Sequence, residues 1–271
     1  MSASPSLTDA LGHALTDKRI DILRQIGASG SISQAARAVG VSYKAAWQAV
    51  DTLTNLAGTP LVARAVGGAG GGGAQLTDAG RQLLVAADAM AQARGAVLSR
   101  WQATPHAGPA LARLAVRTSM RNQLPCVVER LVPQGQIVGV HLRLGWGDGG
   151  PGDGDGVEPA ALVSRITRES AELLGLQPGL ALQALCKATG VRVERAARGT
   201  AAAPAGAPGT HRLLARATRV VRGESGDEVS AELAGGLQMV GFAVPRSGLR
   251  VGSPVVLVVE DHAVVLALAD I

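Results

Sequence analysis

Between residues 118 and 271 the chain writes one small β pattern twice, and this repeat constrains the fold more than any other feature. Gly175-Leu176-Gln177-Pro178-Gly179 returns as Gly248-Leu249-Arg250-Val251-Gly252, each time ahead of an apolar run. Around the first copy, short strand-like segments run from Cys126 to Leu131, Ile137 to Leu144, Ala160 to Ile166, Leu180 to Lys187 and around Val191, with a short helix after Ile166. Around the second they run from Leu213 to Val221, Glu228 to Leu233, Gln238 to Val244, Ser253 to Val259 and Val264 to Leu268. Such spacing predicts a small closed barrel, and its return predicts a tandem duplication.

The first part of the chain has a different period. Ile20, Leu23 and Ile26 lie at helical spacing before the break at Gly27 to Gly30. A second short helix can be capped by Ser31 or Ser33, carries Ala35, Ala36 and Val39, and meets Gly40 where a left-handed cap is wanted. Ser42 caps a third helix through about Leu56, with Ala46, Val50 and Leu53 inward. Two helices joined at Gly40-Val41, the first small enough for close approach, have the form of a helix-turn-helix. Its outward residues are Ser42, Tyr43, Lys44, Trp47 and Gln48, types that reach bases or phosphates from a recognition helix. The runs Leu61 to Arg64 and Ala74 to Thr77 flank Gly67 to Gly73 and predict a winged hairpin, with Arg64 placed for backbone or minor groove. These glycines are not a phosphate loop, because Ala74 and Gln75 follow them instead of Gly-Lys-Ser/Thr.

A final helix, capped at Thr77 or Asp78, runs to about Trp101 and would be about 36 Å long. It bears Leu83, Leu84, Ala87, Met90, Val97 and Leu98, more apolar face than one small head can cover, so a second copy of the chain is its simplest partner. The domains expected are a head with dimerisation helix (1–102), a linker (103–117), a first barrel (118–195), a second linker (196–210) and a second barrel (211–271). The fold class is multidomain α+β.

Composition limits function. Only 2% of residues are aromatic, which argues against a surface that stacks unpaired bases. The net charge of +5 permits a polyanionic partner without demanding one. Cys126 and Cys186 lack metal or redox spacing and read as small hydrophobes in a reducing compartment. His13, His106, His141, His211 and His262 are scattered, and no nucleophile–base pattern points to an enzyme. Asp148, Asp153 and Asp155 lack the full ligand order of a calcium loop. Met1 to Leu15 is not a signal segment and no long apolar run occurs, so a cytoplasmic protein without a membrane partner is expected.

The junction Thr118-Ser119-Met120-Arg121-Asn122-Gln123-Leu124-Pro125 gathers hydroxyl, guanidinium and amide groups, a set suited to an oxyanion. Further along come Thr167-Arg168-Glu169-Ser170 at a helix start and Lys187-Ala188-Thr189 after a strand. Arg121 and Lys187 can balance two negative charges, and Ser119, Thr167 and Ser170 add donors.

Ser33-Gln34-Ala35-Ala36, Val41-Ser42-Tyr43, Trp47 and the run from Leu61 to Gly80 resemble the winged head of LysR-type and, more closely, ModE-type molybdate-responsive regulators. The repeated half resembles the tandem molybdate-binding barrels of the ModE type, and the resemblance spans essentially the whole chain. It implies an anion held at a subunit interface by Ser119, Arg121, Thr167, Ser170, Lys187 and the Ala188 amide, with Asn122 and Thr189 alongside. It also implies molybdate, with tungstate as a near-equivalent, a homodimer, a double-stranded operator, and repression of molybdate-uptake genes. In the second copy Glu260 falls opposite Lys187 and no Ser-x-Arg stands near Thr210 and His211, so that barrel is expected to be structural. The alternatives are a molybdate store without DNA binding and a regulator indifferent to the anion.

Overall fold

The computed structural model describes residues 18–65, 73–101, 118–145, 160–197 and 207–268. The glycine tip of the wing, the linker at 103–117, the loop with Asp148, Asp153 and Asp155, and His13 and His106 lie outside them. Among the described residues two compact units emerge, one formed by those of 18–101 with 168–176, the other by those of 118–167 with 177–268. Among the described residues no helix is long and apolar enough to cross a membrane.

The first unit contains α1 (Lys18–Ser29), α2 (Ile32–Val39) and α3 (Tyr43–Ala57). The Ser31 hydroxyl accepts from the Gln34 amide and so caps α2, while Gly40 closes it at φ 70°, a conformation that costs a residue with a side chain. Ile22, Ile26, Ala35, Ala36, Ala46 and Val50 form its core, the alanines letting helix backbones approach. Strands β1 (Val62–Ala65) and β2 (Gly73–Leu76) pair antiparallel as the wing, and α4 (Asp78–Trp101) leaves from it. Val85 and Met90 on α4 are 70% and 64% exposed, apolar side chains left uncovered within the chain. Residues of α5 (Arg168–Leu173) also belong here, because Leu173, 3% exposed, is part of the same core.

The second unit holds β3 (Asn122–Gln134), β4 (Ile137–Leu144), β5 (Ala161–Thr167), β6 (Ala181–Cys186), β7 (Val191–Arg195), β8 (Thr210–Val221), β9 (Asp227–Leu233), β10 (Gln238–Ala243), β11 (Pro254–Glu260) and β12 (Val265–Ala267). The duplication is visible in register. Both long strands carry a bulge at the same place, between Val128 and Arg130 in β3 and between Ala217 and Arg219 in β8. The two copies are nevertheless not consecutive closed barrels. One sheet runs β12-β6-β3-β4-β5 and the closed barrel runs β10-β7-β11-β8-β9, so each copy gives its last strand to the other. The run at Val191, expected to finish the first barrel, pairs with β11, and β12 pairs with β6.

Closure differs between the copies for a local reason. In the closed barrel, Gly241 lets β10 reach the exchanged strand, since a Cβ there would meet the Val191 carbonyl oxygen at 2.7 Å. Ser164 holds the matching position in β5, and its hydroxyl instead donates to the Val264 carbonyl at 2.6 Å. Reciprocal clamps join the copies. The Asn122 amide donates to the Val240 carbonyl and accepts from the Val240 amide at 2.8 and 2.7 Å, and His211, at the equivalent position, accepts from the Val163 amide at 3.1 Å. Within the closed barrel, Asp227 is 1% exposed; the Ser247 hydroxyl and amide and the Arg222 guanidinium hold its carboxyl down to about 2 despite burial.

Burial pushes the His211 imidazole below its ordinary value of 6.5, and only the neutral ring can accept the Val163 bond. The folded state therefore disfavours protonation, so this contribution is complete above about 6.5 and is lost as pH falls from there. Thermal unfolding followed from pH 8 to 5.5 should show a falling midpoint. The slope should flatten in H211Q, whose amide oxygen accepts without titrating.

Candidate nucleic-acid interface and anion site

The expected recognition residues gather at the start of α3. Ser42 caps the helix by accepting from the Ala45 amide at 3.2 Å, and Tyr43, Lys44 and Gln48 are exposed. Trp47 departs from the expectation of an outward residue: it is half-buried against the helical core, with its ring edge-on to Tyr43 at 6.3 Å. Arg64 lies in β1 opposite Ala74.

Sequence reasoning missed the partners of this face. Lys44 Nζ is 2.7 Å from Glu169 Oε1, on a side chain only 7% exposed. The Ser42 amide donates to Glu172 Oε2 at 2.9 Å. Two carboxylates of α5 thus hold a cation and a helix-start amide, the kinds of group that hold a DNA phosphate. The one signal in the sequence was a pair of glutamates three apart on a short helix, which says nothing of where that helix packs.

In the second unit, Asn122 pairs with Cys186 across β3 and β6. Beyond this last pair the next residues along the chain are Arg121 and Lys187, both exposed, so two cations stand at the same end of the sheet. Like charges at such a pair repel, and a counter-charge there is favourable. Arg121 already has one: its guanidinium forks onto Glu228 at 2.6 and 3.2 Å, which raises the arginine and lowers the glutamate from their ordinary values. Ser119 is exposed just before Arg121, and beside Lys187 Ala188 is buried while Thr189 is exposed. Asn122 is 1% exposed, and its amide is committed to Val240, which makes it a clamp rather than an open donor.

Thr167 is not brought to this edge by the sheet register. It ends β5 opposite Ile137, which pairs with Gln134 at the far end of β3 from Asn122. Ser170 lies in α5, among the residues of the first unit. In the second copy the positions matching Arg121 and Lys187 are Thr210 and Glu260, and the Thr210 hydroxyl donates to Glu260 at 2.9 Å. That pair satisfies itself and offers an anion no positive charge.

Residues 18–81 match the lysR family of bacterial regulatory helix-turn-helix proteins, and residues 118–193 match the TOBE domain. The chain is 33% identical to the molybdenum-pterin-binding protein MopB of Rhodobacter capsulatus, over 95% of this chain and 91% of that one. It is 32% identical to the transcriptional regulator ModE of Yersinia pestis, over 92% of each. Against the molybdenum transport protein ModE of Azotobacter vinelandii it is 36% identical over 70% of this chain and 69% of the other. With both halves matched in order and relatives aligned along nearly its whole length, the chain belongs to the ModE family, in which a lysR-type helix-turn-helix head precedes a TOBE region.

Proposed function

We propose that the protein is a molybdate-sensing, DNA-binding transcriptional regulator that acts in the cytoplasm as a homodimer and represses molybdate-uptake genes when the anion is bound. It works by binding and not by catalysis. The observation that carries the reading is that Arg121 and Lys187 both lie one residue beyond the Asn122–Cys186 pair, two cations at one sheet end, and are replaced by Thr210 and Glu260 in the other copy. Relatives named as a transcriptional regulator, a molybdenum transport protein and a molybdenum-pterin-binding protein support the reading.

In this reading Ser119, Arg121, Lys187 and Ala188, with Thr189 beside them, come from one protomer. Thr167 and Ser170 come from its partner, because the register within one chain leaves Thr167 at the other end of β3. The two fixed cations balance a tetrahedral dianion, and tungstate, of the same charge and shape, should bind as well. In this reading α4, with its exposed Val85 and Met90, supplies the dimer contact, and α3 with the wing supplies the DNA contact. An anion gripped by both protomers favours one arrangement of the pair over others, which is the thermodynamic requirement for a switch. A molybdate store would have no use for the winged head, and sequence-specific, salt-sensitive binding to duplex DNA separates the two readings.

A mobility-shift assay on DNA upstream of molybdate-uptake genes should show binding tightened about tenfold by molybdate, within the usual range of allosteric coupling. R121A should bind DNA without that response; an unaltered response in R121A would contradict the site. The α5 carboxylates generate a second expectation. For DNA to use Lys44 and the Ser42 amide, Glu169 and Glu172 must leave them, so the E169Q/E172Q variant should bind duplex DNA several-fold more tightly without molybdate. Unchanged affinity would mean that these carboxylates do not compete with phosphate.

A further inference from the structure

The carboxylate on Arg121 is not part of the ligand motif, and its position in the duplication is informative. Glu228 sits in β9, opposite Phe242 and Val221. Matching bulges and registers place Gly139 at the equivalent point of the first copy, where it pairs with Arg165. Across the reciprocal contact, the second copy's equivalent of Arg121 is Thr210. A carboxylate is therefore present where the facing residue is a cation and absent where it is a threonine.

The geometry also limits how Arg121 can respond. Asn122, the next residue, is pinned to Val240 by two hydrogen bonds, so the backbone at Arg121 cannot withdraw easily from the second copy. Freeing the guanidinium requires a side-chain exchange. Glu228 has another cation at hand: Arg219, diagonal to it across β8 and β9, favours its charged form and makes no ion pair of its own among the described residues. A diagonal pair on one sheet face is within reach of long side chains.

We propose that Glu228 is a built-in placeholder for the anion. In the anion-free protein its carboxylate occupies the Arg121 fork. An incoming tetrahedral dianion displaces it, and Arg219 receives it. The proposal rests on Arg121 being an anion ligand. Its charge logic is specific: with Glu228 on Arg121, the Arg121–Lys187 pair has a net charge of about +1, and moving Glu228 to Arg219 restores about +2, the match for a dianion. A monoanion gains less from the second charge and should displace Glu228 poorly. Glu228 thereby weakens binding overall and sharpens selection for doubly charged oxyanions.

Titration calorimetry of the full-length protein with sodium molybdate tests this. E228Q should bind about tenfold more tightly than wild type, since the competing charge-assisted pair is gone. R219A should bind several-fold more weakly because the displaced carboxylate has no second cation. The double variant R219A/E228Q should match E228Q, because Arg219 acts only through Glu228. E228D, shorter but still charged, should stay near wild type, and matching thermal melts identify variants that fold. Weaker or unchanged binding in a folded E228Q overturns the proposal, as does an R219A loss that persists in the double variant. R121A binding molybdate as wild type does would remove the site reading itself, and the proposal with it.

Discussion

The reciprocal exchange of end strands between the two β copies is the constraint on which the second unit depends. Each copy takes its last strand from the other: Val191–Arg195 lies between β10 and β11, and Val265–Ala267 lies at the edge of the first sheet. Neither sheet can be completed alone, so the copies form one cooperative body, and a group on one copy is held at a fixed place against the other. Asn122 on Val240 and His211 on Val163 are the two ends of that constraint, related by the duplication. Arg121, one residue before a clamp, inherits its position from it.

Duplication followed by divergence divides the electrostatic work. A pair of facing strand ends is a neutral scaffold position, and what stands there decides its chemistry. In one copy the pair is Arg121 and Lys187, which needs a counter-charge; in the other it is Thr210 and Glu260, joined by their own hydrogen bond. The second copy ties its own strand ends to each other and contributes Glu228 to the Arg121 end of the first.

Local features were legible in the sequence because they are set by local chemistry. The Ser31 and Ser42 caps, left-handed Gly40, the wing strands and the repeated strands follow from caps, turns and period-two patterns, each decided within a few residues. The strand exchange was not legible, because an apolar run such as Val191–Arg195 carries no mark of which sheet it will join. The same limit hid Glu228, Glu169 and Glu172, whose partners lie 107, 125 and 130 residues away. Trp47, expected outward with the other recognition residues, instead packs half-buried against a core rich in alanine. Asn122 was read as an anion donor from its place beside Arg121, while strand alternation turns it inward to Val240.

The proposed function requires a dianion on the Arg121 and Lys187 strand ends, completed by a second protomer. Crystals grown with molybdate, measured at the molybdenum absorption edge, locate the metal without reference to any assignment. One strong anomalous peak per protomer is expected, within contact of Arg121 and Lys187 and bordered by Thr167 and Ser170 of the partner subunit. A peak at Thr210 and Glu260, or a peak on Arg121 and Lys187 with Thr167 and Ser170 supplied by the same chain, would contradict it.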